Sequence, residues 1–266
     1  MADFTDAKGD VGQKMSAEIE ESSVIKFDPP VSIQRYKEVC KILSQDVTIE
    51  KVVDFGCSNG QFFKHVKHIQ HLRQFAGVDI SYSVLEDAFQ VARPLAWECI
   101  YKRDRKLSIQ LLRGSVSSHD SRLAGFDAVT CIELIEHLNE KDLERMPETI
   151  FGFIRPKVAV ITTPNRDFNV VFPERQGMRH WDHKFEWSRA EFEQWCSKVL
   201  DRYPSYTVQY SGVGDAPSEK YQGIGHCSQI ATFFKRSHQC TEEESQASSL
   251  QPYELLFETS HPGKEE

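Results

Sequence analysis

Lys51-Val-Val-Asp-Phe-Gly-Cys-Ser-Asn-Gly60 is the stretch that decides the fold of this 266-residue chain. It begins as a short apolar strand and continues through Gly56 and Gly60 into a helical pattern over residues 61–69. Glycines at such a junction let the backbone turn tightly and let a ligand approach the main chain. In open α/β sheets, ligands bind beyond the carboxyl ends of the strands. The stretch therefore predicts a first strand followed by a ligand-binding loop.

Strand patterns and helical patterns alternate on both sides of this stretch. Further strands are predicted at residues 75–80, 109–112, 126–132, 157–162, 206–210 and 229–234, and further helices at 31–43, 81–91 and 188–199. Such alternation predicts an α/β fold, with a Rossmann-like, mostly parallel seven-stranded sheet and helices on both faces. The last two strands lack a long crossover between them, which favours antiparallel pairing at one edge.

The composition limits the folded domain to the middle of the chain. Residues 1–24 are polar and acidic without periodicity, so we expect a disordered N-terminal tail. The domain then covers residues 25–236. Residues 237–266 are rich in Glu, Ser and Gln, which predicts a largely disordered C-terminal tail, although Tyr253, Leu255, Leu256 and Phe257 are suited to dock as a short element.

Several classes of protein are disfavoured by the composition. No apolar run is long enough to span a membrane, and the N-terminus lacks the pattern of a secretory signal. The seven cysteines include no C-x-x-C pair, which indicates reduced thiols in an intracellular protein. The net charge of −8 argues against a protein that coats nucleic acid through bulk charge. It leaves open an enzyme that binds only the end of a strand.

The glycine loop has the spacing D-x-G-x-x-x-G and lacks the Lys-Ser/Thr pair of a phosphate-binding loop. Asp79 ends the second strand, where an acidic side chain accepts the ribose hydroxyls of an adenosine. An isolated aspartate at this position is more often a helix cap. This pattern resembles the first motif of class I Rossmann-like methyltransferases, which implies S-adenosylmethionine as the cofactor. The candidate cofactor contacts are Asp54, Gly56, Gly60, Asp79, Ser115 and Cys131, of which Ser115 is otherwise an ordinary turn serine.

A group of ligand-type residues follows the fourth strand. If the helix begins at Glu133, then Glu133, Glu136 and His137 are spaced i, i+3 and i+4 and share one face. Two carboxylates and an imidazole that converge in this way favour a divalent cation between them. Oxygen-rich ligands suit Mg²⁺, Mn²⁺ or Co²⁺ better than a structural zinc. The alternative is a surface helix with acids at its N-terminus, where the helix dipole favours them.

More candidate ligands come after the fifth strand, in Arg179-His-Trp-Asp-His-Lys-Phe-Glu-Trp187. His180 and His183 are both suited to complete the site, and spacing alone leaves the choice between them open. Each is also compatible with a packed or surface histidine.

Taken together, these motifs resemble one family. Glu-x-x-Glu-His at 133–137, Thr-Pro-Asn at 163–165 and Asp-His-Lys-Phe-Glu-Trp at 182–187 follow Phe-Asp-Pro-Pro at 27–30 and Gln-Arg-Tyr at 34–36. The combination, over residues 25–236, resembles the Hen family of small-RNA 3′-terminal 2′-O-methyltransferases, specifically the animal, piRNA-pathway type. The resemblance implies that Glu133, Glu136, His137 and His183 bind the metal, with the first three catalytic.

The resemblance also implies a substrate and partners. The substrate would be the 3′ end of a single-stranded small RNA, presented by a Piwi-type Argonaute protein in the cytoplasm, with germ granules as a candidate location. Candidate RNA contacts are Phe27, Pro29, Pro30, Arg35 and His180. The Pro29-Pro30 pair is equally explained as the start of a helix, and Arg35 as a surface residue. Two rival functions are metal-dependent O-methylation of a small vicinal diol such as a catechol, and a non-catalytic scaffold for RNA silencing.

Overall fold

The structure, a computed structural model, describes residues 26–172, 177–236 and 250–264. The tail expected at residues 1–24 lies outside these ranges, as do residues 237–249 of the expected C-terminal tail. Within the described ranges, no helix has the length and apolar character needed to cross a membrane.

The described residues form six α-helices and eight strands, joined by shorter helical turns. The helices are α1 (Val31–Ser44), α2 (Phe63–Val66), α3 (Tyr82–Ala92), α4 (Ala96–Ile100), α5 (Glu140–Pro147) and α6 (Arg189–Arg202). The strands are β1 (Lys51–Phe55), β2 (Gln74–Asp79), β3 (Leu107–Arg113), β4 (Ala128–Ile132), β5 (Val158–Pro164), β6 (Tyr206–Val213), β7 (Ser228–Lys235) and β8 (Glu254–His261). A π-helical segment, Glu148–Ile154, continues α5, and 3₁₀ turns lie at Ser121–Leu123, Ile135–His137, Arg166–Val171 and Glu219–Tyr221.

All eight strands belong to one sheet, in the order β6-β7-β5-β4-β1-β2-β3-β8. The five central strands, β5 to β3 in this order, run parallel, whereas β7 is antiparallel to both β5 and β6. The Rossmann-like α/β prediction and the antiparallel pairing of the last two predicted strands are therefore confirmed. The central strands are buried on both faces, which explains their almost continuous apolar sequence.

The number of strands corrects the prediction, because the sheet has eight strands rather than seven. The additional strand, β8, comes from the segment expected to be largely disordered. It pairs antiparallel with β3, from Leu107 opposite His261 to Arg113 opposite Glu254. Phe257 of β8 stacks on Phe89 of α3, with ring centroids 4.7 Å apart. This part of the C-terminal tail therefore belongs to the folded domain and covers an edge of the parallel sheet.

The helix predicted over residues 61–69 is shorter than expected. Only α2 is α-helical there, and the backbone bonds of His68 and Ile69 reach back three residues, as in a 3₁₀ turn. The segment still returns the chain from the glycine loop to the amino end of β2.

Candidate active site

A cavity of about 480 Å³ lies at the carboxyl ends of β1, β2 and β4. Its wall combines two groups of residues that lie far apart in the sequence. The cofactor motif contributes Asp54, Gly56 and Asp79, and the ligand-type cluster contributes Glu133 and His137. The crossovers of a parallel sheet bring these loops to one edge, as expected for a ligand site in an open α/β fold.

The glycine loop takes its shape from hydrogen bonds to β2. The backbone amides of Gly56 and Cys57 donate to the carbonyl oxygen of Val78, at 2.8 and 3.2 Å. Gly56 has a φ of 72°, and a Cβ on it would lie 2.8 Å from Cδ1 of Leu134. Glycine is thus required for both the turn and the close approach. Gly60, with a φ of 73°, turns the chain towards α2 and does not line the cavity.

Asp54 and Asp79 are held in different electrostatic environments. The hydroxyl of Thr130 donates to Oδ1 of Asp54 at 2.6 Å, and burial raises the pKa of Asp54 to about 7. Asp79 is partly exposed and accepts hydrogen bonds from the amides of Ser58 and Ser81, each at 3.0 Å. These two amides fix the Asp79 carboxylate at the cavity wall, where it is placed to accept hydroxyl groups from a ligand.

Besides Gly60, two further predicted cofactor contacts do not line this cavity. The side chain of Cys131 is fully buried in the apolar core between the sheet and its helices. Ser115 bonds through its hydroxyl to that of Ser117, at 2.9 Å, in the loop after β3. The structure therefore corrects the placement of both side chains. Strand order put these residues at the correct edge, but the direction of each side chain depends on local packing.

The expected helix at Glu133 is absent, which corrects the geometry proposed for the acidic cluster. Glu133 has a φ of 51°, its amide donates to the carbonyl of Thr162, and the chain then forms only a single 3₁₀ turn, Ile135–His137. The carboxylate of Glu133 is fully engaged. Oε1 accepts from the hydroxyls of Thr162 and Ser228, at 3.1 and 2.8 Å, and Oε2 lies 3.2 Å from Nη1 of Arg35.

Glu136 is fully buried and only half satisfied. Its Oε2 accepts from the hydroxyl of Thr163 at 3.0 Å, but Oε1 has no hydrogen-bond partner among the described residues. Burial first, and then the charge of Glu133, raise the pKa of Glu136 well above its ordinary value. A buried carboxylate oxygen without a partner is costly unless a cation reaches it. This oxygen is the observation that fits a bound metal ion.

Three imidazoles converge beside these acids. His137, His180 and His183 each offer a ligand atom within 4.8 Å of the other two. Nδ1 of His183 lies 2.6 Å from Oε1 of Glu186, and Nδ1 of His137 lies 3.1 Å from Oδ2 of Asp182. Because Nδ1 is engaged in both rings, Nε2 is the nitrogen left for a metal. A carboxylate behind a ligating histidine is the usual support of such a site.

The loop that carries His180 and His183 is tied to the acidic turn through the backbone. The amide of Lys184 donates to the carbonyl oxygen of Glu136 at 2.7 Å. His183 is buried, whereas His180 is exposed and its Nδ1 accepts only from the amide of Asp182, at 3.2 Å. The structure therefore brings both candidate histidines to the cluster but fixes His183 more firmly. Residue spacing gives no sign of the supporting roles of Asp182 and Glu186, although both lie in the motif quoted for the family.

The predicted RNA contacts separate into two groups. Arg35 lines the main cavity and lies against Glu133. Phe27 and Pro29 line a different surface depression, where the Phe27 ring packs 6.1 Å from that of Phe168. Pro30 is the N-cap of α1, as the helix-start interpretation requires. Phe27, Pro29 and Pro30 all lie outside the wall of the main cavity.

Comparisons with known proteins agree with this fold. A family model described as a methyltransferase domain matches residues 11–202. The small RNA 2′-O-methyltransferase of Rattus norvegicus is 40% identical over 240 residues, which are 90% of this chain and 60% of the relative. The chain thus spans less than two thirds of that relative's length.

Two solved structures extend the comparison. Small RNA methyltransferase HEN1 superimposes with a TM-score of 0.74 at 32% identity, covering 94% of this chain and 29% of the other. The methyltransferase domain of bacterial CtHen1-C gives a TM-score of 0.64 at 34% identity, and the match covers 77% of this chain and 98% of that domain. The chain therefore belongs to the methyltransferases, and within them to the Hen family.

Proposed function

We propose that this chain transfers a methyl group from S-adenosylmethionine to the 2′-hydroxyl of the 3′-terminal ribose of a single-stranded small RNA. The observation that carries the proposal is one shared cavity. Asp79 and the glycine loop line it on the cofactor side, and Glu133 and His137 line it on the other. A methyl donor on one side and a polarised hydroxyl on the other is the arrangement that in-line methyl transfer requires.

The donor set suits a divalent metal. The residues proposed to hold it are those of the family motif, Glu133, Glu136, His137 and His183. Among the described residues, the ligand atoms that lie within 4.8 Å of one another are those of His137, His180 and His183, so His180 is close enough to assist. A high share of imidazole nitrogen favours Mn²⁺ or Co²⁺ over Mg²⁺, which prefers oxygen ligands, although Mg²⁺ remains the metal first predicted. When bound, such an ion lowers the pKa of a coordinated hydroxyl group.

The protein's own residues then position and deprotonate the substrate. Burial is the main cause that lowers the pKa of His137, so its imidazole is neutral near pH 7 and able to ligate a metal or accept a proton. Asp182 holds the ring through Nδ1. Arg35, in the same wall, is placed to contact a phosphate of the terminal nucleotides once it leaves Glu133.

The biological setting is proposed from family membership. A Piwi-type Argonaute would present the RNA 3′ end in the cytoplasm. The net charge of −8 is consistent with weak affinity for free RNA at physiological salt, which makes delivery by a partner useful.

The decisive experiment compares synthetic RNAs that differ only at the 3′ end. An RNA with a 2′,3′-diol end should become resistant to periodate in the presence of S-adenosylmethionine and Mn²⁺, and a chelator should prevent this. An RNA with a 3′-phosphate should stay unmethylated, because the terminal diol is blocked. Methylation of a catechol but not of RNA would support the small-diol function instead, and no methylation of either would support a non-catalytic scaffold.

A Glu136→Gln variant provides the matched control for the metal. It keeps the size of the side chain and the contact with Thr163 but removes the buried charge. We expect loss of methylation with little change in cofactor binding, measured by calorimetry with S-adenosylhomocysteine. Full methylation by this variant would show that the cluster is not catalytic.

A further inference from the structure

A second cavity, of about 310 Å³, lies at the opposite edge of the sheet from the active site. Its wall comes from the segments that precede β2 and β3 and from the end of β8, so it sits at the amino ends of the parallel strands. We call it the amino-edge cavity and define it by Lys67, Trp97, Tyr101, Lys102, Arg103 and Lys264. Neither the cofactor nor the terminal ribose of the proposed reaction would occupy it.

Two aromatic side chains, one in α4 and one at its C-cap, line this cavity and remain in solvent. Trp97 is 50% exposed and Tyr101, four residues later, is 75% exposed. The helix beneath them is firmly held, because the Glu98 carboxylate accepts from the amide of Leu95 at 2.8 Å and pairs with Lys67 at 2.7 Å. Rigid exposed aromatic rings beside cations are the elements with which proteins stack unpaired bases.

The cations of the wall exceed its anions. Glu98 is paired with Lys67, and Asp104 is paired with Lys264 at 2.8 Å, so both carboxylates are already neutralised. Lys102 and Arg103 remain as the excess positive charge, in a chain whose overall net charge is −8. This cavity therefore attracts an anion in spite of the acidity of the whole protein.

Arg103 also has unused hydrogen-bonding capacity. Its Nη2 donates to the carbonyl of Ile69 at 2.5 Å, whereas Nε and Nη1 are buried and lack a partner among the described residues. Burial lowers the pKa of this guanidinium to about 10, as expected for a cation that is incompletely solvated. Because these two donors are shielded from solvent, a phosphate at the cavity wall would meet the positive charge of Arg103 rather than Nε and Nη1.

We propose that the amino-edge cavity binds a nucleotide in the body of the RNA substrate, with its phosphate at Lys102 and Arg103 and its base stacked on Trp97 or Tyr101. This inference rests on the proposed function, because it assumes an RNA whose 3′ end lies in the active site. The six-residue strand β2 spans roughly 20 Å between the two edges, so only an RNA of several nucleotides reaches both. The second cavity would thus favour long substrates over their 3′-terminal fragments.

A protein segment is the competing occupant. Leu95 and Ile100, which flank the cavity, are 52% and 74% exposed and would suit an apolar partner. They do not belong to the wall of the cavity, however, whose exposed side chains are aromatic and cationic. That composition favours a nucleotide.

The test measures binding separately from catalysis. Fluorescence anisotropy would follow a small RNA whose 3′-phosphate prevents methylation, with wild type and with Trp97→Leu/Tyr101→Leu, Trp97→Phe and Lys102→Ala. We expect the double leucine variant to bind roughly tenfold more weakly, and Trp97→Phe to bind nearly normally because a ring is kept. Lys102→Ala should reduce the slope of log affinity against log salt by about one. Lys198→Ala, on the exposed surface of α6, is the matched charge control and should leave the slope unchanged.

Methylation kinetics provide the second measurement. For a dinucleotide with a 2′,3′-diol end, which is too short to reach the second cavity, all these variants should have the wild-type KM. For the full-length RNA, the KM should rise in the double leucine variant.

Unaltered RNA affinity of the double leucine variant overturns the proposal, and so does an equal loss of methylation on the dinucleotide and the full-length RNA. If RNA affinity is unaltered but binding to a Piwi-type protein is lost, the surface is a protein-docking site. Failure of the proposed function would look different, since no RNA would then be methylated even where binding is normal.

Discussion

Arg35 and Glu133 form a largely buried ion pair across the candidate active site, with Nη1 of the arginine 3.2 Å from Oε2 of the glutamate. The other carboxylate oxygen already accepts two hydroxyl hydrogen bonds. A metal that uses Oε2 must therefore take the place of the guanidinium. If the proposed metal binds there, Arg35 would stabilise the two neighbouring acids only in the metal-free protein and would leave Glu133 when the ion is bound.

The Arg35→Ala variant tests this exchange. Without the guanidinium, Glu133 and Glu136 face each other uncompensated, and the free energy of unfolding in chelator should fall by roughly 2–4 kcal/mol. Added Mn²⁺ should then raise the melting temperature by more than it does in wild type, since the ion no longer displaces an internal cation. For Arg35→Lys, which keeps the charge, the stability in chelator and the rise in melting temperature with Mn²⁺ should both lie between those of wild type and Arg35→Ala. An equal metal-induced rise in all three proteins would contradict the exchange.

His180 and His183, between which residue spacing does not choose a ligand, should differ in their effect on metal binding. His183 is buried and held by Glu186, whereas His180 is exposed. We expect His183→Ala to weaken Co²⁺ binding by more than about 100-fold, which exceeds the effect of losing an outer-shell group, and His180→Ala to weaken it by about tenfold or less. Titration calorimetry, together with the visible absorption of bound Co²⁺, measures both. The reverse order would assign the ligand to His180.

The Glu186 carboxylate, which is hydrogen-bonded to Nδ1 of His183, should affect metal affinity although it would not contact the metal itself. Glu186→Gln keeps the shape of the side chain but weakens the acceptor at Nδ1, so we expect a 10- to 100-fold loss of metal affinity. The matched variant is Asp182→Asn, behind His137. It should have a smaller effect, because the Asp182 side chain is 40% exposed and the bond is longer, at 3.1 Å. If Glu186→Gln changes stability but not metal affinity, the residue only holds the loop in place.

Asp54 gives the protein a predictable dependence on pH. Its pKa is raised from 3.8 to about 7 in the folded state, mainly by burial. A carboxyl group whose pKa is higher in the folded protein than in the unfolded chain destabilises the fold when it is ionised. The destabilisation grows as the pH rises from the unfolded pKa to the folded pKa, and it is complete above the folded pKa. Without cofactor, Asp54→Asn should therefore raise the melting temperature at pH 8 and leave it nearly unchanged at pH 4. An equal change of melting temperature at pH 4 and pH 8 would contradict this assignment.

The acidic cluster was only partly predictable from the sequence. The order of strands and the glycine spacing were sufficient to place Asp54, Asp79 and Glu133 around one edge, because parallel strands bring their carboxyl ends together. Helical periodicity failed at Glu133, since the residue adopts a left-handed backbone conformation that depends on contacts with β5. Such a turn has no periodic signal. The structure brings Glu133 and His137 to one cavity, but through loops and not through a helix face.

The C-terminal strand shows a second limit of sequence reasoning. Its composition is polar, and the paired edge strand has only one face to bury, so its apolar content stays low. The isolated group of Tyr253 to Phe257 was the only signal. Its partner, β3, lies more than a hundred residues earlier in the chain, and pairing over that distance is invisible to local patterns.

Tyr253 provides the test that this tail belongs to the fold. Its ring is buried against Gly114, where a Cβ would lie 2.4 Å from it, and its hydroxyl lies 2.6 Å from the carbonyl oxygens of Ser115 and Ser118. Tyr253→Ala should lower the free energy of unfolding by about 3–5 kcal/mol, as for other buried aromatics, and Tyr253→Phe by about 1–2 kcal/mol. Denaturant unfolding measures both. Leu255→Ala, at a 42% exposed position in the strand that follows Tyr253, should cost much less, and equal losses for the two alanine variants would mean that Tyr253 does not anchor the strand.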